Sequence, residues 1–250
     1  MHILVTNDDG AFAPGIYALV AALQTIAEVT VIAPDQNRSG ISSALTLEKP
    51  LRIMRTPSGS GWWQMNGTPA DCIRLALSGF LDNIPDMVIS GINAGDNMGD
   101  NVIYSGTVGG ATEGRFLKYP PIAISSAGSS SDHMHYETAG QVAIDLVKKL
   151  RRKPFESGLV LNVNVPSVPY DELQGTQITR LGDRHYGEPI IPAEDGRGRR
   201  IYWIGDTGKI KDDSPGTDFH AVHNKQVSIT PLQIDLTSHR HLNDLKEWVV

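Results

Sequence analysis

Cysteine is nearly absent from this sequence, since Cys72 is the single one among 250 residues. No intrachain disulfide can therefore form, which is typical of proteins from a reducing compartment. No apolar run reaches the length that a membrane-spanning helix needs. The first residues, MHILVTNDD, also lack the basic region of a signal peptide. We therefore expect a cytoplasmic protein with no membrane partner.

Basic residues are in the minority, because 22 Lys and Arg stand against 28 Asp and Glu and leave a net charge of −6. A protein that binds nucleic acid polymers presents a basic face, so this balance argues against such a partner. Three familiar motifs are also missing from the sequence: G-x-x-x-x-G-K-[ST], G-x-G-x-x-G in the first turn, and G-x-S-x-G. Their absence argues against a P-loop, a dinucleotide site and a nucleophile elbow.

The sequence does contain a regular alternation of apolar strands and amphipathic helices. Residues 2–6 form an apolar run, residues 16–27 carry apolar side chains at helical spacing, and residues 28–33 are rich in β-branched side chains. A strand–helix–strand unit of this length predicts parallel strands. Further helices are predicted at 68–80, 107–118 and 138–151, and further strands at 86–92, 121–125 and 159–165. We therefore predict a doubly wound, mostly parallel, Rossmann-like α/β sheet over residues 1–165.

The remaining residues, 166–250, have a different character. Residues 185–225 are rich in Gly, Asp and Arg and predict a long hairpin that leaves the main body. Residues 226–236 predict one more strand, and the tail predicts a short helix. A weakly apolar excursion of this size often needs a partner surface, so we expect it to make an oligomer contact.

Polar side chains follow three of the predicted strands. Asp8 and Asp9 come just after the first strand, Ser39 follows the second, and Asn93 follows the strand at 86–92. Because ligands bind beyond the carboxyl ends of strands in an open parallel sheet, these oxygens are expected to meet at one edge. They suit hard cations such as Mg²⁺, Mn²⁺ or Ca²⁺. The alternative is that adjacent Asp residues before a glycine only satisfy backbone donors in a turn.

Two segments of the sequence have the pattern of a helix start. Thr68-Pro69-Ala70-Asp71 has the order of an N-cap, a first-turn proline and an acidic residue three positions after the cap. The second segment, residues 104–110 (YSGTVGG), leads into the helix predicted from Thr107. A glycine-bearing loop at a helix N-terminus offers free N–H groups to phosphate. Two structural alternatives remain open: Ser105 or Thr107 is simply the helix cap, and Gly109 and Gly110 serve close packing.

Several ordered segments resemble a known family, the SurE-type survival-protein nucleotidases. The similarity spans the chain, and its segments are NDDG (7–10), PDQNRSG (34–40), SALT (43–46), NGTPADC (66–72), SGIN (90–93), YSGTVG (104–109) and VSITPL (227–232). Gly110 and Thr112 stand where the family pattern leads us to expect Ala and Met. Both fall inside a predicted helix, so they concern packing.

The resemblance implies a site as well as an activity. It implies one divalent metal ion per subunit, Mg²⁺ or Mn²⁺, held by Asp8, Asp9, Ser39 and Asn93. It implies phosphate contacts from Asn97, Ser105, Gly106 and Thr107. The implied reaction removes the 5′- or 3′-phosphate of nucleoside monophosphates, with some action on short polyphosphate. The implied assembly is a cytoplasmic homodimer or homotetramer that exchanges C-terminal segments.

The catalytic roles of Asp8 and Asp9 stay open between two routes. A water activated at the metal could attack the phosphoryl group, or one aspartate could attack and form an aspartyl-phosphate. Two other functions also remain as alternatives: a nucleotide-sugar transferase on a similar sheet and a non-catalytic nucleotide sensor.

Overall fold

The computed structural model describes residues 1–57, 60–128, 134–153, 155, 158–184, 187, 189–205 and 207–249. The strands are β1 (His2–Thr6), β2 (Glu28–Pro34), β3 (Ile53–Arg55), β4 (Trp63–Met65), β5 (Met87–Ala94), β6 (Ile122–Ala127), β7 (Val160–Pro166), β8 (Thr176–Ile178), β9 (Asp183–Arg184), β10 (Ile191–Glu194), β11 (Arg200–Trp203), β12 (Ile210–Asp212) and β13 (Val227–Leu232). The helices are α1 (Pro14–Leu23), α2 (Pro69–Leu75), α3 (Gly106–Glu113), α4 (Tyr136–Arg152), α5 (Asp218–His223) and α6 (Leu242–Trp248). None of the described helices is both long enough and apolar enough to cross a bilayer.

Nine of the described strands form one sheet in the order β3-β4-β2-β1-β5-β6-β7-β13-β8. The strands β4, β2, β1, β5, β6 and β7 run parallel to one another, whereas β13 runs antiparallel to β7. This confirms the predicted doubly wound, mostly parallel sheet. The chain moves outward from β1 to β2 and then returns to the other side of β1 with β5. The boundary between β1 and β5 is therefore the place where the strand order reverses, and ligands bind at such a place in open α/β sheets.

Alternating side chains of the central strands build a core on each face of the sheet. Ile3 and Val5 belong to a buried cluster with α1 and α4, while Leu4, between them, packs with α2. Successive strand residues point to opposite faces, so α1 and α4 cover one side of the sheet and α2 covers the other. Helix α3 packs beside α2.

The ends of three helices differ from their predicted positions. Helix α1 stops at Leu23 rather than Ala27, and the Thr25 hydroxyl donates to the carbonyl of Ala22 at its end. Helix α2 continues beyond Leu75 only as a π-helical turn. Helix α3 ends at Glu113, before the predicted 118, and its C-cap Gly114 packs directly against Val88 of β5. The helical pattern in the sequence therefore predicts longer α-helices than the structure contains.

The C-terminal part contributes both to the sheet and to an excursion. Strand β13, the predicted late strand, adds to β7, and β8 adds to β13. The predicted hairpin is present as the antiparallel pair β10 and β11, and a second antiparallel pair joins β12 to β9. The predicted short helix of the tail is α6. The division at residue 165 and the exchange of segments between subunits stay predictions.

Candidate metal and phosphate site

The turn after β1 is held in place by backbone and side-chain contacts. The Asn7 amide donates to the carbonyl of Gly10 at 2.9 Å, and the Arg38 N–H donates to the carbonyl of Asp8 at 2.7 Å. Gly10 has a φ of +102°, which a residue with a Cβ rarely adopts. These contacts leave both carboxylates of the turn at the carboxyl edge of the sheet.

Asp8 is the more buried of the two carboxylates, with 4% of its surface exposed. The hydroxyl of Thr107 donates to its Oδ1 at 2.5 Å. Burial raises the pKa of Asp8 to about 6; the Thr107 hydrogen bond lowers the pKa, while the charge of Asp9 raises it. A buried carboxylate beside a second one is costly unless a cation balances the charge.

Asp9 joins β1 to the end of β5. Its Oδ2 accepts from the Ala94 N–H at 3.0 Å, and burial raises its pKa. The neighbouring Asn93 uses its amide nitrogen to donate to the Gly95 carbonyl at 3.0 Å, so its side-chain oxygen is the atom left to coordinate a ligand. The structure thus brings Asp8, Asp9 and Asn93 together across the boundary between β1 and β5.

Ser39 lies in the exposed loop after β2. Its backbone N–H donates to the side-chain oxygen of Asn37 at 2.8 Å. The preceding residue, Arg38, bonds to the Asp8 carbonyl, which ties this loop to the carboxylate turn. Ser39 therefore stands at the rim of the candidate site, with its side chain exposed.

The loop before α3 contacts Asp8 directly. Ser105 is the N-cap of α3, because its Oγ accepts from the Val108 N–H at 3.1 Å. This bears out the capping alternative for Ser105, although its hydroxyl hydrogen is still available to a ligand. A Cβ on Gly106 would lie 2.8 Å from the Asp8 Cβ and 2.9 Å from the Asp8 Oδ2. Glycine is therefore the residue that lets the helix start approach this carboxylate.

The next two glycines of α3 serve packing, as the alternative prediction proposed. A Cβ on Gly109 would lie 2.5 Å from the Ser42 carbonyl oxygen, and a Cβ on Gly110 would lie 2.9 Å from the Pro69 side chain. These contacts draw α3 onto the 41–46 loop and α2. They give a structural reason for Gly110 where an alanine was expected.

Asn97 belongs to a network of buried amides that sequence reasoning missed. Its N–H donates to the Asn164 side chain at 2.8 Å, and its carbonyl accepts from the Asn162 and Asn164 amides at 2.8 and 3.1 Å. Its own amide nitrogen donates to Ser125 at 2.8 Å. The alternation VLNVNVP in β7 was the available signal, because two asparagines on one face of an interior strand need partners.

The donor set fits a hard divalent cation. Asp8, Asp9, Asn93 and Ser39 offer carboxylate, amide and hydroxyl oxygens, and the side-chain oxygen of the buried Asn7 has no hydrogen-bond partner. Among the described residues, no group of three or more His, Cys, Asp or Glu side chains has the arrangement of a metal site. A cation here would therefore be bound by two charged ligands and by neutral oxygens.

The fold and the site together define a class of protein: a doubly wound α/β protein with a carboxylate pair and a capped helix start at the reversal point of its sheet. The family model described as survival protein SurE matches residues 3–188. The chain belongs to this family. It is 53% identical to the 5′-nucleotidase SurE of Methylococcus capsulatus over 249 residues, which cover 100% of this chain and 98% of that protein. It is 52% identical to the 5′-nucleotidase SurE of Nitrosomonas eutropha over 250 residues, which cover both proteins fully.

A solved structure agrees with the family assignment. The crystal structure of the SurE protein from Aquifex aeolicus superimposes with a TM-score of 0.86 at 40% identity, and the match covers 100% of each chain. The family predicted from the ordered motifs is thereby confirmed.

Proposed function

We propose that this chain is a divalent-metal-dependent phosphomonoesterase that removes the 5′- or 3′-phosphate from nucleoside monophosphates. The relatives named 5′-nucleotidase support the reaction class, since they are about half identical over the whole chain. The single structural observation that carries the proposal is the contact from Thr107 to Asp8, which joins a helix start suited to phosphate to a carboxylate suited to a metal.

The proposed metal ligands are Asp8, Asp9, Asn93 and Ser39, with Mg²⁺ or Mn²⁺ as the ion. When bound, such an ion supplies positive charge that polarises the phosphoryl oxygens and stabilises the charge that develops during hydrolysis. A protein of net charge −6 repels an anionic substrate at long range. The positive charge of the ion offsets this repulsion at the site itself.

The chain's own residues bind and orient the phosphate in this proposal. The first N–H groups of α3 have no carbonyl partner within the helix and point toward its N-terminus. Ser105 adds a hydroxyl donor there, and Gly106 lets the helix start approach the Asp8 carboxylate closely. Thr107 already donates its hydrogen to Asp8, so its hydroxyl orients the carboxylate, and its contribution to phosphate comes from its backbone N–H. Asn97 lies in the loop after β5, where its backbone carbonyl accepts from the amides of Asn162 and Asn164.

The role of Asp8 and Asp9 in the reaction has two forms. In the direct route, water attacks phosphorus, the nucleoside oxygen leaves, and an aspartate orients that water. In the covalent route, an aspartate oxygen attacks phosphorus, the nucleoside leaves, and water then cleaves the aspartyl-phosphate. Rapid quenching with labelled substrate separates them, because labelled phosphate attached to Asp8 or Asp9 requires the covalent route.

Phosphate release from a panel of nucleotides, with and without Mg²⁺ or Mn²⁺, tests the proposal. Asp8→Asn and Asp9→Asn are each expected to lower metal-dependent turnover by roughly 10²–10³-fold or more, because a charged ligand at the reacting centre is lost. Asp82→Asn, at an exposed position outside the site, is the matched control. Near-normal turnover in both site variants contradicts the metal assignment. Nucleotide binding without turnover under every metal condition identifies a sensor, and transfer of a sugar in place of phosphate release identifies a transferase.

The proposal also covers the setting in which the chain works. It places the enzyme in the cytoplasm, acting to a lesser degree on short polyphosphate, as a homodimer or homotetramer that exchanges C-terminal segments. Support comes from the tail, where Leu236 and Trp248 are 92% and 80% exposed and pack on no core of their own. Light scattering on the full chain tests the assembly, and a monomer at micromolar concentration contradicts it.

A further inference from the structure

A cleft adjoins the candidate phosphate loop. Its volume is about 530 Å³, within the range of roughly 300–1,000 Å³ that is typical of small-ligand sites. The 3-10 helix Gly99–Tyr104 forms one wall, and the β9 and β12 strands form the other. Tyr104 is followed directly by Ser105, so the cleft begins where the candidate phosphate loop begins.

One wall carries two apolar side chains, Ile103 and Tyr104, beside the polar Asp100 and Asn101. Ile103 and Tyr104 are consecutive, and Tyr104 is 60% exposed. Their backbone is held by Ser42, whose hydroxyl donates to the Ile103 carbonyl at 2.7 Å and whose N–H donates to the Tyr104 carbonyl at 2.9 Å. An exposed aromatic side chain in a polar cleft is suited to stacking against a flat ring.

The facing wall carries a cation that is held rigidly. The Arg184 side chain is 13% exposed, lies 4.6 Å over the Phe219 ring, and donates to the Gly208 carbonyl at 3.3 Å. Its guanidinium also pairs with Asp96 at 3.5 Å, and Asp96 directly precedes Asn97. Lys211 is exposed on the same wall. Both cationic side chains are donors only, so this wall matches a ligand that carries acceptor atoms.

The charge of the cleft distinguishes between possible ligands. Asp100 and Asp183 line it together with Arg184 and Lys211, so its cationic and anionic side chains balance. A second phosphate would meet two carboxylates here, whereas an uncharged ring with acceptor atoms would meet donors and an aromatic face. We propose that this cleft is the subsite for the nucleoside, with the base against Tyr104 and with Arg184 and Lys211 donating to acceptors of the base or the ribose. This inference rests on the proposed function, because it assumes that a phosphate ester occupies the neighbouring loop.

Two esters that differ only in the leaving alcohol test the subsite. Adenosine 5′-monophosphate has a base and glycerol phosphate has none, so the ratio of their kcat/KM values reports contacts to the nucleoside. Tyr104→Ala is expected to lower this ratio about 10-fold, mainly through the KM of the nucleotide, since stacking on an aromatic side chain is lost. Tyr104→Phe is expected to retain the ratio, because the ring remains. Phe116→Ala, an exposed aromatic outside the cleft, is the matched control.

The cationic wall offers a second comparison. Lys211→Ala is expected to raise the KM of the nucleotide several-fold, while Lys209→Ala, two residues away and not lining the cleft, is not. An unchanged ratio in a folded Tyr104→Ala variant overturns the subsite while phosphate release stands. If the wild-type chain hydrolyses neither ester, the proposed function fails, and calorimetric binding of adenosine then decides the subsite alone. Binding weakened about 10-fold by Tyr104→Ala supports the subsite, and equal binding overturns it.

Discussion

Two helix starts lie side by side on one face of the sheet, and their first turns differ. Helix α2 begins after Thr68 and α3 begins after Ser105, and both caps accept from the N–H three residues further on. In α2 that third residue is Asp71, whose carboxylate accepts in return from the Thr68 N–H at 2.9 Å. In α3 it is Val108, and no acidic residue occupies the first turn.

The two helices differ in which group lies against the positive end of the helix dipole. Asp71 closes the start of α2 with a charge from its own chain, and Thr46 donates two further hydrogen bonds to that carboxylate. The start of α3 has a glycine where α2 has Pro69, and it faces Asp8. A serine or threonine cap therefore does not by itself distinguish a structural helix start from a binding one. In α3 the first turn has no acidic residue and its first residue, Gly106, has no side chain, and the proposed phosphate site depends on that difference.

Among the variants that test this difference between the two helices, Gly106→Ala is expected to have the largest effect on phosphate release. The added Cβ would lie 2.8 Å from the Asp8 Cβ, so the carboxylate or the helix start must move. We expect kcat/KM for phosphate release to fall about 100-fold, which is the usual effect of displacing a reacting group by about 1 Å. Pro69→Ala, at the same position of α2, is the control and should retain activity. Full activity in Gly106→Ala means that the close approach to Asp8 has no catalytic role.

Thr107→Val tests the contact that joins the two halves of the site. Valine keeps the shape of the side chain but removes the donor to Asp8 Oδ1. The carboxylate then loses a fixed orientation, and we expect roughly a 10-fold fall in kcat/KM together with a higher metal concentration at half-maximal rate. Thr112→Val makes the same chemical change later in α3 and is the control. Phosphate release measured across a metal titration would show no difference between the two variants if Thr107 serves packing alone.

Much of this arrangement follows from local patterns in the sequence. The cap at Thr68 and Asp71 was predicted from four adjacent residues, and the structure confirms it as a reciprocal pair. Asp8, Asp9, Ser39 and Asn93 were predicted to meet because parallel strands end at the same edge. The Asp9 to Ala94 contact bears this out for Asp9 and the end of β5, whereas Ser39 lies in an exposed loop. Both inferences needed only hydrophobic periodicity, turn chemistry and the rule of parallel strands.

The parts that could not be predicted depend on contacts between distant residues. Asn162 and Asn164 hold Asn97 across 65 and 67 positions of sequence, and no periodicity encodes that pairing. Gly114, the C-cap of α3, packs against Val88 of β5, which is again a tertiary contact. The antiparallel addition of β13 beside β7 is of the same kind, since a single strand pattern does not indicate its neighbour.

Asp71→Asn tests the cap of α2 and is expected to have the smallest effect on phosphate release. Burial alone would raise the pKa of Asp71, but the hydrogen bonds from Thr46 and Thr68 outweigh it and hold the pKa below its ordinary value of 3.8. The charged form is thus favoured in the folded protein, and we expect its loss to lower the free energy of unfolding by about 1–3 kcal/mol near pH 7. Phosphate release should be retained, because Asp71 caps α2 and the proposed phosphate site lies at the start of α3.

The pH dependence of that difference follows from the direction of the shift. A carboxyl group whose pKa is lower in the folded state contributes stability above its unfolded value, and this contribution is lost as the pH falls through the folded value. The wild-type chain and the Asp71→Asn variant should therefore differ in unfolding free energy near neutral pH and converge below about pH 3.8. Urea unfolding of both chains across this range measures the convergence. A constant difference at all pH values would mean that Asp71 stabilises α2 through its geometry and not through its charge. The difference between α2 and α3 would then depend on Gly106 and Thr107 alone.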